Sequence, residues 1–285
     1  SSKSSINRDL LPIIYESLFV ATNDGKGKAL LAESFKSNGK NITVKIPAKV
    51  YFSDGSELNA QNVKSSYEMA RGNAYYKDSL SNIASVKVID NYTIVFSIIR
   101  EDPMAYNILS FPVCSKKGEG YIGTGKYSIG YLDDIPYLQV NTKHRSFRKS
   151  WNKQIALYDV AGITSPVYIF KANDITLYRN DLNSDDYINL SSKTVSQDMN
   201  NLVFVGVNSK WKGSVTSIEW VRQAINIGLN RREITASSFL GQGSPVVSPF
   251  RNEFYEFEQE NFADISGETQ KAVGILERHG YDKVN

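Results

Sequence analysis

The chain has 285 residues, of which 41% are hydrophobic and 12% aromatic, and its formal net charge is +3. This composition excludes intrinsic disorder as a class, and the length allows more than one compact unit. The basic residues are spread along the chain except for the short stretch 143–149, which we interpret as a solvated loop or a strand edge. The clustered basic footprint of a nucleic-acid binder is therefore missing.

The first part of the chain predicts alternating helices and strands. In chain order these are a helix at 10–19, strands at 41–46 and 50–52, a helix from Asn59 to about Gly72, a hairpin of 86–89 with 92–99, and a short helix at 103–109. Asn59 predicts an N-cap because Asn62 stands three residues later, at the N3 position.

The rest of the chain continues this mixture. A glycine-rich loop at 118–125 is followed by predicted strands at 126–130, 137–142 and 202–207, by helices at 218–229 and from Arg231, and by a last helix at 268–279 that Gly280 ends. The order contains no repeat and predicts an α/β or α+β protein with inserted subdomains.

Two phosphate-binding patterns overlap in the glycine-rich loop. Residues 118–123 fit G-x-G-x-x-G, and 120–126 nearly fit the P-loop, but both patterns require a helix next and the sequence predicts a strand. We therefore interpret the loop as a tight segment that needs a positive φ or a close approach of another backbone.

No combination of residues predicts catalysis or metal binding. His144 and His279 stand far apart, and we expect each at the surface or at a helix end. The adjacent acids at 133–134 and 185–186 point apart and are interpreted as solvated. The sequence therefore predicts neither an enzyme nor a bound cofactor or metal ion.

Several motifs occur in the order in which one protein family has them. They are LLPIIYESLF at 10–19, LLAESFK at 30–36, FSDGSEL at 52–58, the helix at 59–69, IGTGKY at 122–127, GVN at 206–208, WVRQAINIGLNR at 220–231, the Gly- and Pro-containing loop at 241–249 and the segment 272–281. In this order they resemble the family 5 bacterial solute-binding proteins, which include oligopeptide, dipeptide and nickel binders.

Three features depart from the family pattern. The strand that precedes the family's first helix is missing. The family's N-P-x-Y-W motif is reduced to Asn141-Thr142-Lys143-His144. The family also continues through much of a second lobe beyond the position of Asn285, so we expect that lobe to be partial and the ligand cleft to be incomplete within these residues.

The resemblance implies an α/β fold of the type 2 periplasmic-binding-protein class, in which two lobes close on a ligand. The first lobe would comprise 1–20 and 118–209, the inserted α+β subdomain 21–117, and the partial second lobe 210–285.

The resemblance also implies a function and a site. The function is the capture of peptides outside the cell, by a monomer anchored to the membrane by lipid or free in the periplasm, for the permease subunits of an ABC importer. The ligand-binding residues would be Gly123, Thr124, Gly125, Tyr15, Tyr106 and Asn208, although each also has a structural interpretation as a tight-turn glycine, a core tyrosine or a strand-end asparagine. The alternatives are a metal or metal-chelate binder of the same family and a sensor or scaffold domain that does not transport.

Overall fold

The computed structural model describes residues 5–22, 24–102, 104–158, 166–172, 175–179, 193–196, 201–211, 213–246, 248–249 and 267–281. The chain divides into two compact units, Ser1–Asp159 and Val160–Asn285.

The first unit is built mainly from antiparallel strands. Its helices are α1 (Ser5–Ile14) and α2 (Ala60–Arg71), with 3₁₀ turns at Ser79–Asn82 and Ala105–Ile108. Its strands are β1 (Phe19–Val20), β2 (Lys28–Ala29), β3 (Ser34–Ser37), β4 (Asn41–Lys45), β5 (Ile83–Asp90), β6 (Thr93–Ile98), β7 (Cys114–Lys117), β8 (Gly120–Gly123), β9 (Tyr127–Leu132), β10 (Ile135–Val140) and β11 (Gln154–Ala156).

Two sheets and two short pairs organise these strands. One sheet has the order β3-β4-β6-β5, another has the order β11-β10-β9, and β1-β2 and β7-β8 each form a pair. In the larger sheet Ile42 lies opposite Phe96, and both side chains are fully buried. Strand β4 alternates buried and half-buried positions, as expected of a sheet with one face on the core.

Helix α2 covers that sheet and has the ends that the sequence predicts. The Asn59 side-chain oxygen accepts from the Asn62 amide, and the Asn62 side-chain oxygen accepts from the Asn59 amide, each at 3.0 Å. This reciprocal capping box satisfies two amides that the helix leaves unpaired. Val63 and Tyr67 are buried on the core side, so the predicted helix and its apolar face are confirmed.

The helix predicted at 10–19 is wrong in its position. Helix α1 ends at Ile14, and Phe19 belongs to a strand. The residues between them do not continue the helix because their carbonyl groups bond to distant segments: the Val113 amide donates to the Glu16 carbonyl at 2.8 Å, and the Leu31 amide donates to that of Ser17 at 3.1 Å. A periodic apolar run cannot reveal these long-range bonds.

Two predicted strands are also wrong. Residues 201–209 form no strand, and Phe204 is 75% exposed, because no other described segment pairs with them. The predicted strand at 50–52 is reduced to a single bridge between Tyr51 and Glu57. An apolar, β-branched run becomes a strand only where a neighbouring backbone satisfies its amides and carbonyls.

The glycine-rich segment 118–125, which was predicted to be a loop, lies mostly within a β-hairpin. Strands β7 and β8 pair from Cys114–Gly123 to Lys117–Gly120, and Gly118 at their turn has a φ of 57°. Strand β9 follows this segment, whereas a phosphate-binding loop would be followed by a helix. The structure therefore agrees with the rejection of both phosphate-binding patterns. The short helix predicted at 103–109 is the 3₁₀ turn Ala105–Ile108, and Pro103 lies outside the described residues.

The second unit contains α3 (Pro166–Lys171), α4 (Glu219–Gly228), α5 (Arg231–Ser238), α6 (Thr269–Arg278) and a 3₁₀ turn at Val215–Ser217. Helices α4 and α6 pack together through small residues: a Cβ on Gly228 would lie 3.4 Å from that of Ala272. The last three helices match the predictions to within one residue at each predicted end, and Gly280 follows α6 with a φ of 80°. Within the described ranges, no helix has the length and apolarity needed to cross a membrane.

Candidate functional site

The segment Gly123-Thr124-Gly125 crosses the end of α1 at very short range, and we call it the 123–125 loop. The Gly125 amide donates to the Ile14 carbonyl at 2.9 Å. A Cβ added to Gly123 would lie 2.9 Å from the Ile14 carbonyl carbon, and one added to Gly125 would lie 2.5 Å from the same atom. Both distances are shorter than real Cβ contacts, so the predicted close approach of another backbone at these glycines is confirmed.

The middle residue of this loop reaches a buried carboxylate. Thr124 is 1% exposed, and its hydroxyl donates to Glu16 Oε2 at 2.9 Å. Glu16 is itself only 6% exposed and accepts two bonds from the Arg145 guanidinium, at 2.6 Å to Oε2 and 2.7 Å to Oε1. We call Glu16, Thr124 and Arg145 the Glu16 junction. A bidentate Arg–carboxylate pair of this kind is among the strongest charge-assisted hydrogen-bonding arrangements in proteins.

Two opposing influences act on the Glu16 carboxyl group. Burial by itself raises its pKa, but the neighbouring His144, Arg145 and Thr124 groups outweigh burial and hold the pKa below its ordinary value. Glu16 is therefore an ionised structural anion whose oxygens are already bonded, which makes it unsuitable as a general base.

His144 lies beside this pair and is 6% exposed, so the interpretation of His144 as a surface or helix-end residue is wrong. The rest of 143–149 is mostly exposed and contains no helix or strand, so the interpretation of this stretch as a solvated loop holds apart from His144. The Ser146 amide donates to His144 Nδ1 at 3.1 Å, which places the proton of the neutral ring on Nε2. Nε2 is 3.6 Å from Glu16 Oε1, too far for a full hydrogen bond, and has no other partner among the described residues. The contact with Glu16 is therefore electrostatic.

Asn141 fixes the other side of the 123–125 loop. Its side-chain amide donates to the Gly125 carbonyl at 2.8 Å, and its side-chain oxygen accepts from the Lys143 amide at 2.9 Å. Asn141 is buried, and it is the asparagine that survives in the reduced N-P-x-Y-W motif. The motif is thus altered after its first position, while the asparagine still anchors the loop.

The turn before α2 holds the start of the loop. The Ser53 amide donates to the Gly123 carbonyl at 3.0 Å. Next to it, Asp54 accepts from the Ser56 hydroxyl and amide and from Lys117 Nζ, and these bonds lower its pKa to about 2. The F-S-D-G-S turn is therefore a second anchor, on the side opposite Asn141.

The structure brings together four of the six predicted site residues. Tyr15 lies with the 123–125 loop, and its hydroxyl donates to the Tyr121 carbonyl at 3.2 Å. Tyr106 lies in a separate aromatic cluster, with its ring centre 5.6 Å from that of Phe19. Asn208 belongs to the second unit, where it is exposed and its side-chain oxygen accepts from the Lys210 amide at 3.1 Å. Whether any of the six contacts a ligand stays a prediction.

Sequence reasoning missed Glu16, Arg145 and Asn141. The available signal was a single acid, Glu16, inside an apolar run, because a charge in such a place usually requires a buried partner. Sequence reasoning could not identify that partner, since Arg145 stands 129 positions away.

The site provides rigid backbone geometry rather than reactive groups. In the described part of the chain, no three His, Cys, Asp or Glu side chains are grouped so as to hold a metal ion. The acids of 133–134 form the β9–β10 turn with φ values of 48° and 63°, and those of 185–186 lie outside the described residues.

Comparison with known proteins gives a consistent result. The family model "Bacterial extracellular solute-binding proteins, family 5 Middle" matches residues 26–285. The glutathione-binding protein GsiB of Escherichia coli K12 is 23% identical over 272 residues, which are 86% of this chain and 52% of GsiB. The chain therefore spans about half the length of the curated relatives that it matches.

Two solved structures are similar over nearly the whole chain. The oligopeptide-binding protein AppA of Bacillus subtilis, in complex with a nonapeptide, has a TM-score of 0.61 at 20% identity, covering 100% of this chain and 61% of AppA. NikA of Brucella suis, in complex with Fe(III)-EDTA, has a TM-score of 0.67 at 15% identity, covering 96% of this chain and 60% of NikA. These likenesses establish the fold, which is the predicted α/β type 2 periplasmic-binding-protein class.

Proposed function

The chain belongs to the bacterial extracellular solute-binding proteins of family 5, and on that premise we propose that it captures peptides for an ABC importer. The family match over residues 26–285 carries the proposal. Two similar proteins support a peptide ligand. GsiB is named for binding glutathione, a tripeptide, and the structure of AppA was solved in complex with a nonapeptide.

The 123–125 loop would form part of the ligand cleft. Its anchoring from three sides, by the end of α1, by Asn141 and by Ser53, supports this role, because a wall that is already ordered loses little entropy when a ligand binds. In the proposed arrangement, lobe one is 1–20 with 118–209, the inserted subdomain is 21–117, and lobe two begins near 210. Ligand would close the lobes by contacting both at once.

The proposal includes the absence of enzymatic activity. Glu16 is the buried acid nearest the loop, and Arg145 and Thr124 already occupy its oxygens, which leaves no activated base at the loop. Turnover of a peptide or nucleotide substrate that disappears on mutation of one residue of this chain would contradict this part.

Family 5 proteins act outside the cytoplasmic membrane with ABC permeases. For this chain we propose a monomer that is lipid-anchored or free in the periplasm. Peptides are the favoured ligand, and a metal chelate is the second candidate because NikA, similar in fold, was crystallised with Fe(III)-EDTA. A sensor or scaffold role would leave the protein without a transported solute.

Native mass spectrometry of the full-length protein, purified without denaturation, tests these candidates. We expect added masses that fragment into amino acids, and titration calorimetry with glutathione and with a pool of synthetic tri- to pentapeptides should give saturable heat. A co-purified metal chelate with no peptide binding would favour the second candidate. The absence of any bound or titratable solute would overturn the transport proposal.

A further inference from the structure

The Glu16 junction connects three stretches of chain that are distant in sequence. Glu16 follows α1, Thr124 follows β8, and Arg145 follows β10. Arg145 also donates to the Leu30 carbonyl at 3.3 Å, which adds the segment after β2. The contacts therefore meet where the predicted first lobe joins its inserted subdomain.

We propose that Glu16 and Arg145 are positioning residues that hold the 123–125 loop in its ligand-binding geometry. The proposal rests on the proposed function, since it assumes that the loop lines the cleft. Neither residue needs to touch the ligand: Glu16 acts through the Thr124 hydroxyl, and Arg145 acts through Glu16.

The chemistry of the junction supports positioning over simple packing. The Glu16 side chain is buried, whereas that of Arg145 is 33% exposed. Such a pair gives little net stability over apolar residues of the same volume, because the carboxylate loses its hydration and the guanidinium loses part of its own. It does give direction: the guanidinium has a flat fork, the carboxylate has two fixed oxygens, and the Thr124 hydroxyl completes the set. An apolar pair could fill this space, but it could not fix the angle at which Thr124 meets α1.

Gly123 and Gly125 make the loop sensitive to the angle at which Thr124 meets α1. Because Gly123 and Gly125 lie against the carbonyls at the end of α1, the loop can move in few directions. The Thr124 bond selects one position among those that remain. Loss of the bond would release the loop without unfolding the sheet β3-β4-β6-β5, whose core is built from other residues.

The test compares five variants in the full-length protein. Arg145→Met removes the charge and keeps an unbranched apolar side chain, Arg145→Lys keeps the charge without the fork, and Thr124→Val removes the hydroxyl at nearly constant volume. The double variant combines Arg145→Met with Thr124→Val. Val44→Ala is the control, because Val44 is fully buried in β4 and its truncation should lower stability away from the junction.

The binding readout uses glutathione and the tri- to pentapeptide pool. We expect Arg145→Met and Thr124→Val each to raise Kd by roughly tenfold, the double variant to raise it little further, and Arg145→Lys to restore part of the affinity. Val44→Ala should bind as the wild type does at a temperature where both are folded. Unchanged affinity in folded Arg145→Met, or an equal loss in Val44→Ala, would overturn the proposal.

A second readout needs no ligand and so separates this proposal from the proposed function. Hydrogen–deuterium exchange should accelerate by roughly tenfold in Arg145→Met at peptides covering 121–127, which include the Gly125 amide, but not at 94–99, which include the Ile98 amide bonded to Lys40. Val44→Ala should show the reverse. If the wild-type protein bound no probe, the proposed function would fail, but the exchange measurement would still show whether Glu16 and Arg145 order the 123–125 loop. Equal exchange at both sites in Arg145→Met would overturn the positioning role.

Discussion

Replacing Gly125 with alanine is the most direct perturbation of the contact between the 123–125 loop and α1. The new Cβ would lie 2.5 Å from the Ile14 carbonyl carbon, whereas ordinary contact begins at 3.4 Å, so about 0.9 Å of movement is required. That movement strains the Gly125 amide bond to Ile14 at 2.9 Å and the Asn141 bond to the Gly125 carbonyl at 2.8 Å.

The expected cost is ~2–4 kcal/mol in the free energy of unfolding, from overpacking in a tight site and the weakening of these two hydrogen bonds. Gly120→Ala is the matched control: Gly120 lies in the same hairpin, and its added Cβ would come no closer than 3.9 Å to the Lys117 carbonyl oxygen. We expect that variant to stay within ~0.5 kcal/mol of the parent.

Urea unfolding followed by the fluorescence of Trp151 measures both variants. Trp151 belongs to the first unit and stacks on Tyr127 at 6.5 Å, so replacing Trp211 and Trp220 with phenylalanine in every variant makes the signal specific to that unit. Equal stabilities for Gly125→Ala and Gly120→Ala would refute the argument, because they would mean that the loop has space for a Cβ at position 125.

Three further results are expected, the first from the same urea assay. Asn59→Ala should cost about 1 kcal/mol because it removes the capping box of α2, and Asn59→Ser should retain most of that stability. The pKa of Glu16 is lowered on folding from its ordinary 4.5, so the unfolded chain binds more protons just below that pH and stability falls as pH drops from about 4.5 through the folded pKa. In a series of melting temperatures between about pH 3 and pH 6, Glu16→Gln should therefore show a shallower decline than the parent, and an equal slope would remove Glu16 from the acid response. Phe111→Ala should cost ~3–5 kcal/mol because its ring is fully buried. Phe204→Ser, at a position 75% exposed, should change stability by less than ~0.5 kcal/mol. Because Phe204 belongs to the second unit, its variant is followed by the fluorescence of Trp220 with Trp151 and Trp211 replaced, and similar losses in the two variants would contradict the burial of Phe111 and the exposure of Phe204.

Features that neighbours in sequence determine were predictable. The capping box of α2 needs only Asn59 and Asn62, and the hairpin of β5 and β6 needs only the short turn at Asn91-Tyr92 between two β-branched runs. The close approach at Gly123 and Gly125 was predictable because glycines in a tight segment usually have a steric reason.

Features that distant partners determine were not predictable. Residues 15–19 have an apolar pattern compatible with a helix, yet bonds from the Val113 and Leu31 amides keep them from continuing it. Residues 202–207 have a strand pattern, yet no described segment pairs with them. Within the otherwise exposed stretch 143–149, the burial of His144 and the ion pair of Arg145 could not be predicted, because the carboxylate that Arg145 binds stands 129 positions earlier.

The 129 positions between Glu16 and Arg145 also affect the order of folding during synthesis. At the usual ~5–20 residues per second of synthesis, on the order of 10 s passes between the addition of Glu16 and the addition of Arg145. During that interval the Glu16 carboxylate has no guanidinium to pair with and stays hydrated, so the turn after α1 cannot close around it. The β5–β6 hairpin, whose partners are neighbours in the chain, is complete as soon as it is made. The Glu16 junction is therefore a late event in the biogenesis of the first unit, later than the backbone bonds that the Leu31 and Val113 amides make to the same segment, because those partners are synthesised before Arg145.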